Sequence, residues 1–360
     1  MKKGFLYAYD GINLGDDLFV RVICGRYPQA RFYIWGDEKR REVFRNVPNL
    51  KVILRDNPVS KVLGAIRPSF AARYHGWLEH RCDAVVYIGG SIFMEYPNWE
   101  MLCTWWDYEA KNRPFYVLGA NFGPWHTEAY REKMAEIFAN CRDVCFRDRY
   151  SAELFPGVTR CAPDILLGYP MKKVSVKKKQ LFVSVIDCAG RDEAHSLTQF
   201  DGNYVANMAR LLKSYLVEGW HIVLSSFCRR EGDENGIRKV LDAMGIAAEE
   251  PRISLLCYDG TNTEALLIAV AESERVIATR FHGVILALAA GRPVLPVVYS
   301  DKTLRVLEDL SFDGDVVDLR EDESWSNAQS WKNHTPLSDV VRHAAERHFE
   351  KVDTVIGREQ

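Results

Sequence analysis

The strongest chemical signal in the sequence is the stretch Thr279-Arg280-Phe281-His282-Gly283. It joins an apolar run typical of a buried strand to an apolar, alanine-containing run typical of a helix, which places Arg280 and His282 at a helix N-terminus. A guanidinium, backbone N–H groups and the helix dipole together favour a bound anion there. We expect His282 to be neutral without a ligand and to become a competent acid once an anionic substrate binds. A purely structural histidine is the alternative.

A second arginine stands in a similar place. Arg147 follows the apolar run 144–146, where its guanidinium could bind a carboxylate or phosphate through two parallel hydrogen bonds. Ser151, four residues later, is a candidate substrate contact from the same loop. The alternative is a solvated charge cluster at the start of a helix, with Ser151 as its N-cap.

Glycines and short polar residues follow three more apolar runs. Because a glycine at a strand end lets a ligand approach the backbone closely, we expect substrate-facing loops at these places, with ordinary turn chemistry as the alternative. The candidates are Asn13, Gly15 and Asp16 after the run 4–9, Gly90 after the run 84–88, and Asn121 after the run 115–118.

Three further patterns have a functional and a structural interpretation. Lys302 follows the apolar run 293–298 and is a candidate phosphate contact or a solvated lysine. The aromatic residues within 96–108 are expected to pack in the core or between domains, with sugar stacking as the alternative. Asp313-Gly314-Asp315 is similar to the DxD motif of metal-dependent glycosyltransferases, but its central glycine favours a turn, and we expect no metal site.

Apolar runs alternate with amphipathic stretches along both halves of the chain, which predicts parallel sheets with crossover helices. The fold class is therefore α/β, with two doubly wound Rossmann-like domains facing a cleft. Ligands of such sheets bind at the carboxyl ends of the strands. We expect an N-terminal domain over 1–168, a lysine-rich linker over 169–180, a C-terminal domain over 181–335, and a C-terminal helix over 336–360 that packs back on the N-terminal domain.

Composition excludes several classes of protein. The chain has 360 residues, of which 47% are hydrophobic and 27% charged, so it is neither disordered nor collagen-like. A formal charge of −2, from 47 basic and 49 acidic residues, gives no basic field for nucleic acid. No apolar stretch approaches the roughly 18 residues of a transmembrane helix. Nine scattered cysteines without a CxxC pair favour a reducing, cytoplasmic location. A peripheral position at the inner membrane face, through the linker lysines, is the alternative.

The order and spacing of several short motifs resemble the polysaccharide pyruvyltransferase family over most of the chain. Ser91 departs from the family pattern, since a third glycine is expected after Gly90. The matching pieces are Asn13-x-Gly15-Asp16, Gly89-Gly90, 119–124, Arg147-Asp148-x-x-Ser151, Ala162-Pro163-Asp164, Arg280-x-His282-Gly283, Ala287-Leu288, Gly291-x-Pro293 and Tyr299-x-x-Lys302.

The resemblance implies a fold similar to that of GT-B glycosyltransferases. It implies phosphoenolpyruvate as donor substrate and a sugar diol of an oligosaccharide or polysaccharide, lipid-linked or free, as acceptor. Arg147 and Arg280 are then implied as ligands of the donor anion and His282 as the acid–base residue, with Asp16 a candidate base for the acceptor hydroxyl. We expect the donor on the C-terminal domain and the acceptor on the N-terminal domain, with no organic cofactor.

Two other functions stay open on the sequence alone. A nucleotide-sugar-dependent glycosyltransferase could share the two-domain architecture, and a catalytically inactive carbohydrate-binding protein could share the fold. The sequence identifies neither the acceptor sugar, nor its hydroxyl pair, nor the oligomeric state.

Overall fold

The computed structural model describes residues 1–55, 59–60, 62, 76–77, 79–189, 196–246, 250–326 and 328–357. The chain divides into two units. The first contains Met1–Asp10, Asp16–Ile165 and the segment from Ala344 onward, and the second contains Gly11–Gly15 and Leu166–His343. The short segment Gly11–Gly15 thus belongs to the second unit, although both of its neighbours in sequence belong to the first.

The first unit is built on a parallel sheet. Its strands are β1 (Lys3–Tyr7), β2 (Arg31–Gly36), β3 (Leu50–Leu54), β4 (Ala84–Ile88), β5 (Ser91–Phe93), β6 (Phe115–Phe122), β7 (Asp143–Phe146) and β8 (Arg160–Cys161). The strand order is β3-β2-β1-β4-β6-β7-β8, and β5 pairs with β6. The helices of this part of the chain include α1 (Leu14–Arg26), α2 (Glu38–Val43), α3 (Trp99–Asn112), α4 (Glu128–Asn140) and α5 (Arg149–Glu153).

The second unit repeats this plan. Its strands are β9 (Lys177–Ser184), β10 (His221–Ser226), β11 (Ile253–Cys257), β12 (Ser273–Ala278), β13 (Val294–Val298) and β14 (Val317–Asp318). The order is β11-β10-β9-β12-β13-β14, again with parallel pairing. The helices are α6 (Asp201–Val217), α7 (Asp233–Met244), α8 (Thr263–Glu272), α9 (Phe281–Ala289), α10 (Asp301–Asp309) and α11 (Asp339–Ala345), and α12 (Glu350–Ile356) follows in the first unit.

Both sheets have the order expected of a doubly wound Rossmann-like domain. In each, the first strand lies between the second and the fourth, so the chain reverses direction across the sheet at that point. All eight residues of β6 and all five of β13 are buried, the pattern of parallel strands covered on both faces. The reversal points lie between β1 and β4 in the first unit and between β9 and β12 in the second. Ligands of such sheets bind beside these points.

Strand β6 is longer than the sequence predicts. The apolar run suggested an end at Leu118, whereas the strand continues to Phe122. Gly119 has a φ of +76°, and the pairing with β7 shifts register there, so the strand continues through a bulge. The backbone N–H of Asn121 then donates to the Gly90 carbonyl at 2.9 Å. Asn121 is therefore a strand residue beside the glycine loop that follows β4.

The expected linker is partly strand. β9 begins at Lys177, inside the stretch 169–180, because Lys177 and Gln180 both have strand partners. The lysine side chains also lie opposite acidic residues: Lys172 forms an ion pair with Glu264, and Lys177 with Glu272. The unit boundary falls between Ile165 and Leu166, slightly before the predicted one.

The C-terminal segment also differs from the expected single helix over 336–360. Helix α11 begins only at Asp339, and Thr335, just before the expected start, donates its backbone N–H and its hydroxyl to Asp313, both at 2.7 Å. A second helix, α12, follows and is part of the first unit. There Asp353 accepts hydrogen bonds from the Arg26 guanidinium at 2.7 Å and the Tyr27 hydroxyl at 2.8 Å.

No helix in the described part of the chain combines the length and the apolar character needed to cross a membrane. Most cysteines are buried among apolar side chains, and burial raises the pKa of the Cys82 and Cys228 thiols to about 12. Such thiols are protonated at neutral pH, which is the property of packing residues rather than of reactive ones.

Candidate functional site

The junction of β12 and α9 carries the two residues that the sequence singled out most strongly. Arg280 is the N-cap residue of α9, and His282 is in the first turn. The backbone N–H of Arg280 donates to the Ser184 hydroxyl at 3.3 Å, at the end of the neighbouring strand β9. A Cβ atom on Gly283 would lie 2.7 Å from the same hydroxyl oxygen, so only glycine lets the helix begin this close to β9. The pair thus lies at the reversal point of the second sheet.

The guanidinium of Arg280 lies between two carboxylates. Its Nε atom donates to the carboxylate oxygens of Asp233 at 2.8 and 3.0 Å, and Nη1 donates to Glu231 at 2.5 Å. Only 8% of the side chain is exposed. Burial alone lowers the pKa of a guanidinium, but the charges of Asp233 and Glu231 outweigh it, and the pKa of Arg280 is raised well above its usual value. The arginine is permanently charged and fixed in orientation.

Asp233, the first residue of α7, organises the loop that follows β10. Besides Arg280, its carboxylate accepts the backbone N–H groups of Phe227 and Cys228, each at 2.9 Å. The Phe227 carbonyl in turn accepts the N–H of Leu14 at 3.1 Å. Asp233 is fully buried, so these bonds are shielded from water. Through them, Arg280 is connected to the segment Gly11–Gly15.

That segment places Gly15 directly against the imidazole of His282. A Cβ atom on Gly15 would lie 1.8 Å from His282 Nδ1, far inside contact distance. The N–H of Gly15 donates to the side-chain oxygen of Asn13 at 3.1 Å, which fixes the local turn. The structure therefore brings together four of the predicted residues in the second unit, namely Asn13, Gly15, Arg280 and His282.

A second group of predicted residues meets in the first unit around Arg147. Nη2 of Arg147 donates to the side-chain oxygen of Asn121 at 2.7 Å, and Nη1 donates to Asp164 at 3.2 Å. A Cβ atom on Gly90 would lie 2.7 Å from Nη1, so the guanidinium lies directly over this glycine. Ser91, the departure from the family pattern, donates its hydroxyl to Asn121 at 3.2 Å. These groups lie at the carboxyl ends of β4, β6 and β7.

Ser151 is part of the helix start rather than of a surface. Its N–H and its hydroxyl donate to the carboxylate of Asp148 at 2.8 and 2.9 Å, and its hydroxyl accepts the N–H of Phe122 at 2.8 Å. The N-cap of α5 is Asp148, not Ser151. Because Ser151 is fully buried, its geometry explains a structural role, and its contact with substrate stays a prediction.

Asp16 and Lys302 lie at the starts of α1 and α10. Asp16 belongs to the first unit, where a Cβ atom on Gly89 would lie 3.8 Å from one of its carboxylate oxygens. Burial, with the charge of Asp16 adding to it, raises the pKa of the Tyr87 hydroxyl to about 12. Lys302 lies in the first turn of α10, after β13, in the second unit. Arg147 and Asp16 thus belong to the first unit and His282 to the second, and a pocket shared between them stays a prediction.

Two other patterns have a structural explanation. The tryptophans of the 96–108 region lie on α3 and pack edge to face with other rings, such as Trp105 against Tyr7 at 4.9 Å. Asp313 accepts a hydrogen bond from the backbone N–H of Thr335, and Asp315 accepts one from that of Lys332. The two carboxylates therefore bind the segment 332–335 and have a structural role. No cluster of three or more His, Cys, Asp or Glu side chains within the described ranges is arranged to hold a metal ion.

The sequence analysis missed Asp233 and Glu231, the two partners of Arg280. A signal was present, since both follow the apolar strand 221–226 as the other candidates follow theirs. Ser184, which accepts the N–H of Arg280, was missed for a different reason. It lies within an apolar strand, and only the pairing of β9 with β12 brings it to the site.

Comparison with known proteins identifies a family whose model covers most of the residues described above. A family model described as polysaccharide pyruvyl transferase matches residues 13–301, from Asn13 to the residue before Lys302. The amylovoran biosynthesis protein AmsJ of Erwinia amylovora is 23% identical over 250 residues, which cover 63% of this chain and 59% of AmsJ. The chain therefore spans less than two thirds of the length of this relative.

Several solved structures share the fold. UDP-GlcNAc 2-epimerase from Methanocaldococcus jannaschii, bound to UDP-GlcNAc and UDP, has a TM-score of 0.60 at 11% identity, covering 98% of this chain and 100% of its own. The epimerase from Neisseria meningitidis has a TM-score of 0.53 at 11% identity, with the same coverage. Anabaena Alr3699/HepE in complex with UDP-glucose has a TM-score of 0.51 at 12% identity, covering 99% of this chain and 97% of its own.

At such identities the likeness establishes the fold alone, a GT-B-like pair of Rossmann-like α/β domains, as the sequence predicted. The family model goes further because it spans most of the chain and includes Arg147, Arg280 and His282. On that match, the chain belongs to the polysaccharide pyruvyl transferase family.

Proposed function

We propose that this protein transfers pyruvate from phosphoenolpyruvate to a sugar diol of a polysaccharide or its precursor, forming a cyclic ketal and releasing phosphate. Family membership supports pyruvyl transfer. The observation that carries the proposal is the first turn of α9, where a buried arginine and an imidazole stand two residues apart at the reversal point of a parallel sheet. Anionic ligands bind at such helix N-termini.

The proposed acid is His282. It protonates the methylene carbon of phosphoenolpyruvate, which leaves oxocarbenium character at the central carbon. One sugar hydroxyl attacks that carbon and the other displaces phosphate, so two C–O bonds form and the C–O bond to phosphate breaks. Of the two hydroxyl protons, one makes up for the proton that His282 gave to the methylene carbon, and the other leaves with the phosphate. The net reaction joins phosphoenolpyruvate and the diol into the ketal plus phosphate, which balances without a redox partner.

The first unit supplies the second part of the proposed machinery. Arg147, oriented by Asn121 and Asp164 over Gly90, is a proposed ligand of the donor anion. Asp16, at the start of α1, is the candidate base that accepts the proton of the attacking hydroxyl. The scheme requires no metal and no organic cofactor.

Ligand-dependent melting distinguishes the proposal from its alternatives. A ligand that binds only the folded state raises the melting temperature, so phosphoenolpyruvate at millimolar concentration is expected to raise it, whereas UDP- and GDP-sugars are not. A shift with the nucleotide sugars alone would favour a glycosyltransferase. Glycan binding without donor binding or phosphate release would favour a carbohydrate-binding protein. Phosphate release is then measured with candidate saccharides, each with a matched saccharide in which one hydroxyl of the diol is O-methylated.

The acid role of His282 has its own test. His282→Ala is expected to lower kcat by about 10²- to 10⁴-fold, the usual contribution of a positioned acid, while the Kd for phosphoenolpyruvate changes by less than about threefold. His221→Ala is the matched control, because His221 is the first residue of β10 and so lies at the amino-terminal end of its strand, whereas His282 follows the carboxyl end of β12. Near-wild-type turnover of the His282 variant with donor binding intact would exclude the role.

A further inference from the structure

The segment from Ala344 onward belongs to the first unit and is bound to its strand β8. Arg160, the first residue of β8, donates from Nη2 to the carbonyl oxygen of His348 at 2.9 Å and from Nη1 to that of Arg347 at 2.5 Å. The same guanidinium donates to the carboxylate of Asp143 through Nε at 2.8 Å and Nη2 at 2.7 Å. The backbone at His348 is therefore fixed on β8 by contacts that do not involve the His348 side chain.

The imidazole of His348 contacts the turn that follows β8. Its Nε2 atom lies 3.1 Å from the carbonyl oxygen of Ala162 and 3.0 Å from that of Pro163. Because a carbonyl oxygen only accepts, Nε2 carries the proton and its N–H is shared between the two acceptors. The Pro163 carbonyl belongs to the peptide bond that joins this turn to Asp164. The imidazole, which is fully buried, thus fixes the backbone from which the side chain of Asp164 extends.

Two short connections lead from this turn to Arg147. The carboxylate of Asp164, also fully buried, accepts a hydrogen bond from Nη1 of Arg147 at 3.2 Å. The N–H of Ala162 donates to the carbonyl oxygen of Phe146 at 3.0 Å, and Phe146 directly precedes Arg147 in the chain. The turn 162–164 therefore contacts both the guanidinium of Arg147 and the backbone from which that side chain extends.

The imidazole makes these contacts as a neutral group. Burial, with the positive charges of Arg160 and Arg147 adding to it, lowers the pKa of His348. At neutral pH the ring therefore supplies an N–H donor to the turn and places no positive charge beside Arg147.

We propose that His348 is a positioning residue of the donor site: it holds the turn 162–164 in place, so that Asp164 keeps the guanidinium of Arg147 oriented towards the donor anion. This inference rests on the proposed function, because it takes Arg147 as a ligand of the donor. It also extends the donor site to a segment that lies beyond residues 13–301, the part of the chain that the family model matches.

Donor affinity distinguishes positioning from a merely structural role. His348→Leu removes the N–H donor and keeps an apolar side chain, so it is expected to raise the Kd for phosphoenolpyruvate about tenfold, because binding must then order Arg147. His348→Gln returns an N–H donor to the turn and is expected to stay within about threefold of the wild-type Kd. Calorimetry on the full chain measures both the Kd and the stoichiometry. Partial unfolding alone would lower the stoichiometry and leave the Kd unchanged.

Arg26→Gln is the matched control. The guanidinium of Arg26, at the end of α1, donates to Asp353 in the same C-terminal segment at 2.7 and 2.9 Å, and not to the turn 162–164. The variant weakens the attachment of the segment without removing the donor that contacts the turn. It is therefore expected to lower the melting temperature and to change the Kd for phosphoenolpyruvate by less than about twofold.

The outcomes separate the inference from the proposed function. An unchanged Kd for His348→Leu, with wild-type binding of phosphoenolpyruvate intact, overturns the positioning role and leaves the function standing. Equal weakening by Arg26→Gln, or a His348→Gln variant as weak as His348→Leu, also overturns it, since the N–H donor would then have no particular part. Inorganic phosphate is the second probe: if the wild type binds phosphate but not phosphoenolpyruvate, and His348→Leu weakens that binding, the positioning role is supported and the function is overturned. Binding of neither by the wild type overturns both. Should His348→Leu not fold, His348→Met takes its place with the same expectation.

Discussion

Arg147 in the first unit and Arg280 in the second are the same residue type in equivalent places, yet their surroundings differ. Both follow a parallel strand and both side chains are less than a tenth exposed. Arg147 is bound by the amide oxygen of Asn121 and the carboxylate of Asp164. Arg280 is bound by two carboxylates. The named partners of Arg147 thus include a neutral amide, whereas those of Arg280 are both carboxylates. Position at a strand end therefore does not determine how strongly an arginine attracts an anion.

The two sites share one feature: a glycine lies in contact with the side chain that is proposed to act. Gly90 lies under the Arg147 guanidinium, and Gly15 lies against the His282 imidazole. In each case a Cβ atom would lie closer than 3 Å to the side chain. At both places the glycine is required because a side chain would collide with the guanidinium or the imidazole, and not because the backbone has an unusual conformation.

The largest expected effect concerns the charged partner of Arg280. Asp233→Ala leaves two buried N–H groups without their acceptor and weakens the pairing of a buried guanidinium, so it is expected to reduce the free energy of unfolding by about 3–5 kcal/mol. Asn121→Ala removes a neutral partner of Arg147, together with the longer hydrogen bonds of the same amide to Ser91 and the Gly123 carbonyl, and is expected to reduce it by about 1.5–3 kcal/mol. Urea unfolding followed by tryptophan fluorescence measures both. Equal losses in the two variants would show that the difference in charge has no energetic consequence.

Several features of the fold and of the candidate site could be predicted from the sequence because they depend on neighbouring residues. The short apolar run 84–88, followed by two glycines, located β4 at the bounds that the structure gives. The placement of Arg280 and His282 at one helix start is equally local. Such features depend on residues within one or two turns of each other.

The rest depends on contacts between distant parts of the chain. Nothing near residue 15 indicates that it lies against His282, or that the segment 11–15 belongs to the second unit. The partners of Arg280 could not be assigned either, since Asp233 and Glu231 reach it only because β10 and β12 flank β9. The start of β9 within a lysine-rich stretch was hidden for a similar reason: strand pairing outweighs low apolar content there.

The two glycines give the next test of the comparison. Gly15→Ala forces the imidazole of His282 to move by more than 1 Å, so we expect turnover to fall about 100-fold with little change in donor affinity. Gly90→Ala displaces the more flexible end of Arg147 and is expected to weaken donor binding about tenfold, with a smaller effect on kcat. Gly25→Ala, within α1, is the control, because nothing lies within 4 Å of its Cβ position. Steady-state kinetics measures turnover and calorimetry measures donor affinity. Weaker donor binding by Gly15→Ala, with slower turnover by Gly90→Ala, would contradict the assigned roles.

The last test concerns the buried histidine behind Arg147. The Nε2 atom of His348 lies 3.1 and 3.0 Å from the carbonyl oxygens of Ala162 and Pro163, so the tautomer protonated at Nε2 donates to both, next to the aspartate that pairs with Arg147. Within the described residues, its Nδ1 atom has no hydrogen-bond partner. Burial, together with the charge of Arg160, lowers the pKa of His348 from 6.5 to about 3. The histidine is therefore neutral in the folded protein at any pH above that value.

The sign of the pH effect follows from this shift. Below pH 6.5 the unfolded chain binds a proton at His348 that the folded chain does not, so stability decreases as the pH falls towards 3. At pH 5 the loss amounts to about 2 kcal/mol relative to pH 7. His348→Gln keeps a side-chain N–H donor and has no titrating group, so it is expected to lose about 2 kcal/mol less than the wild type between pH 7 and 5. Urea unfolding at the two pH values measures the loss in free energy of unfolding. The carboxylates contribute equally in both proteins, so the difference between the two losses reports on His348 alone. Identical losses would show that His348 is not a buried neutral histidine in the folded protein.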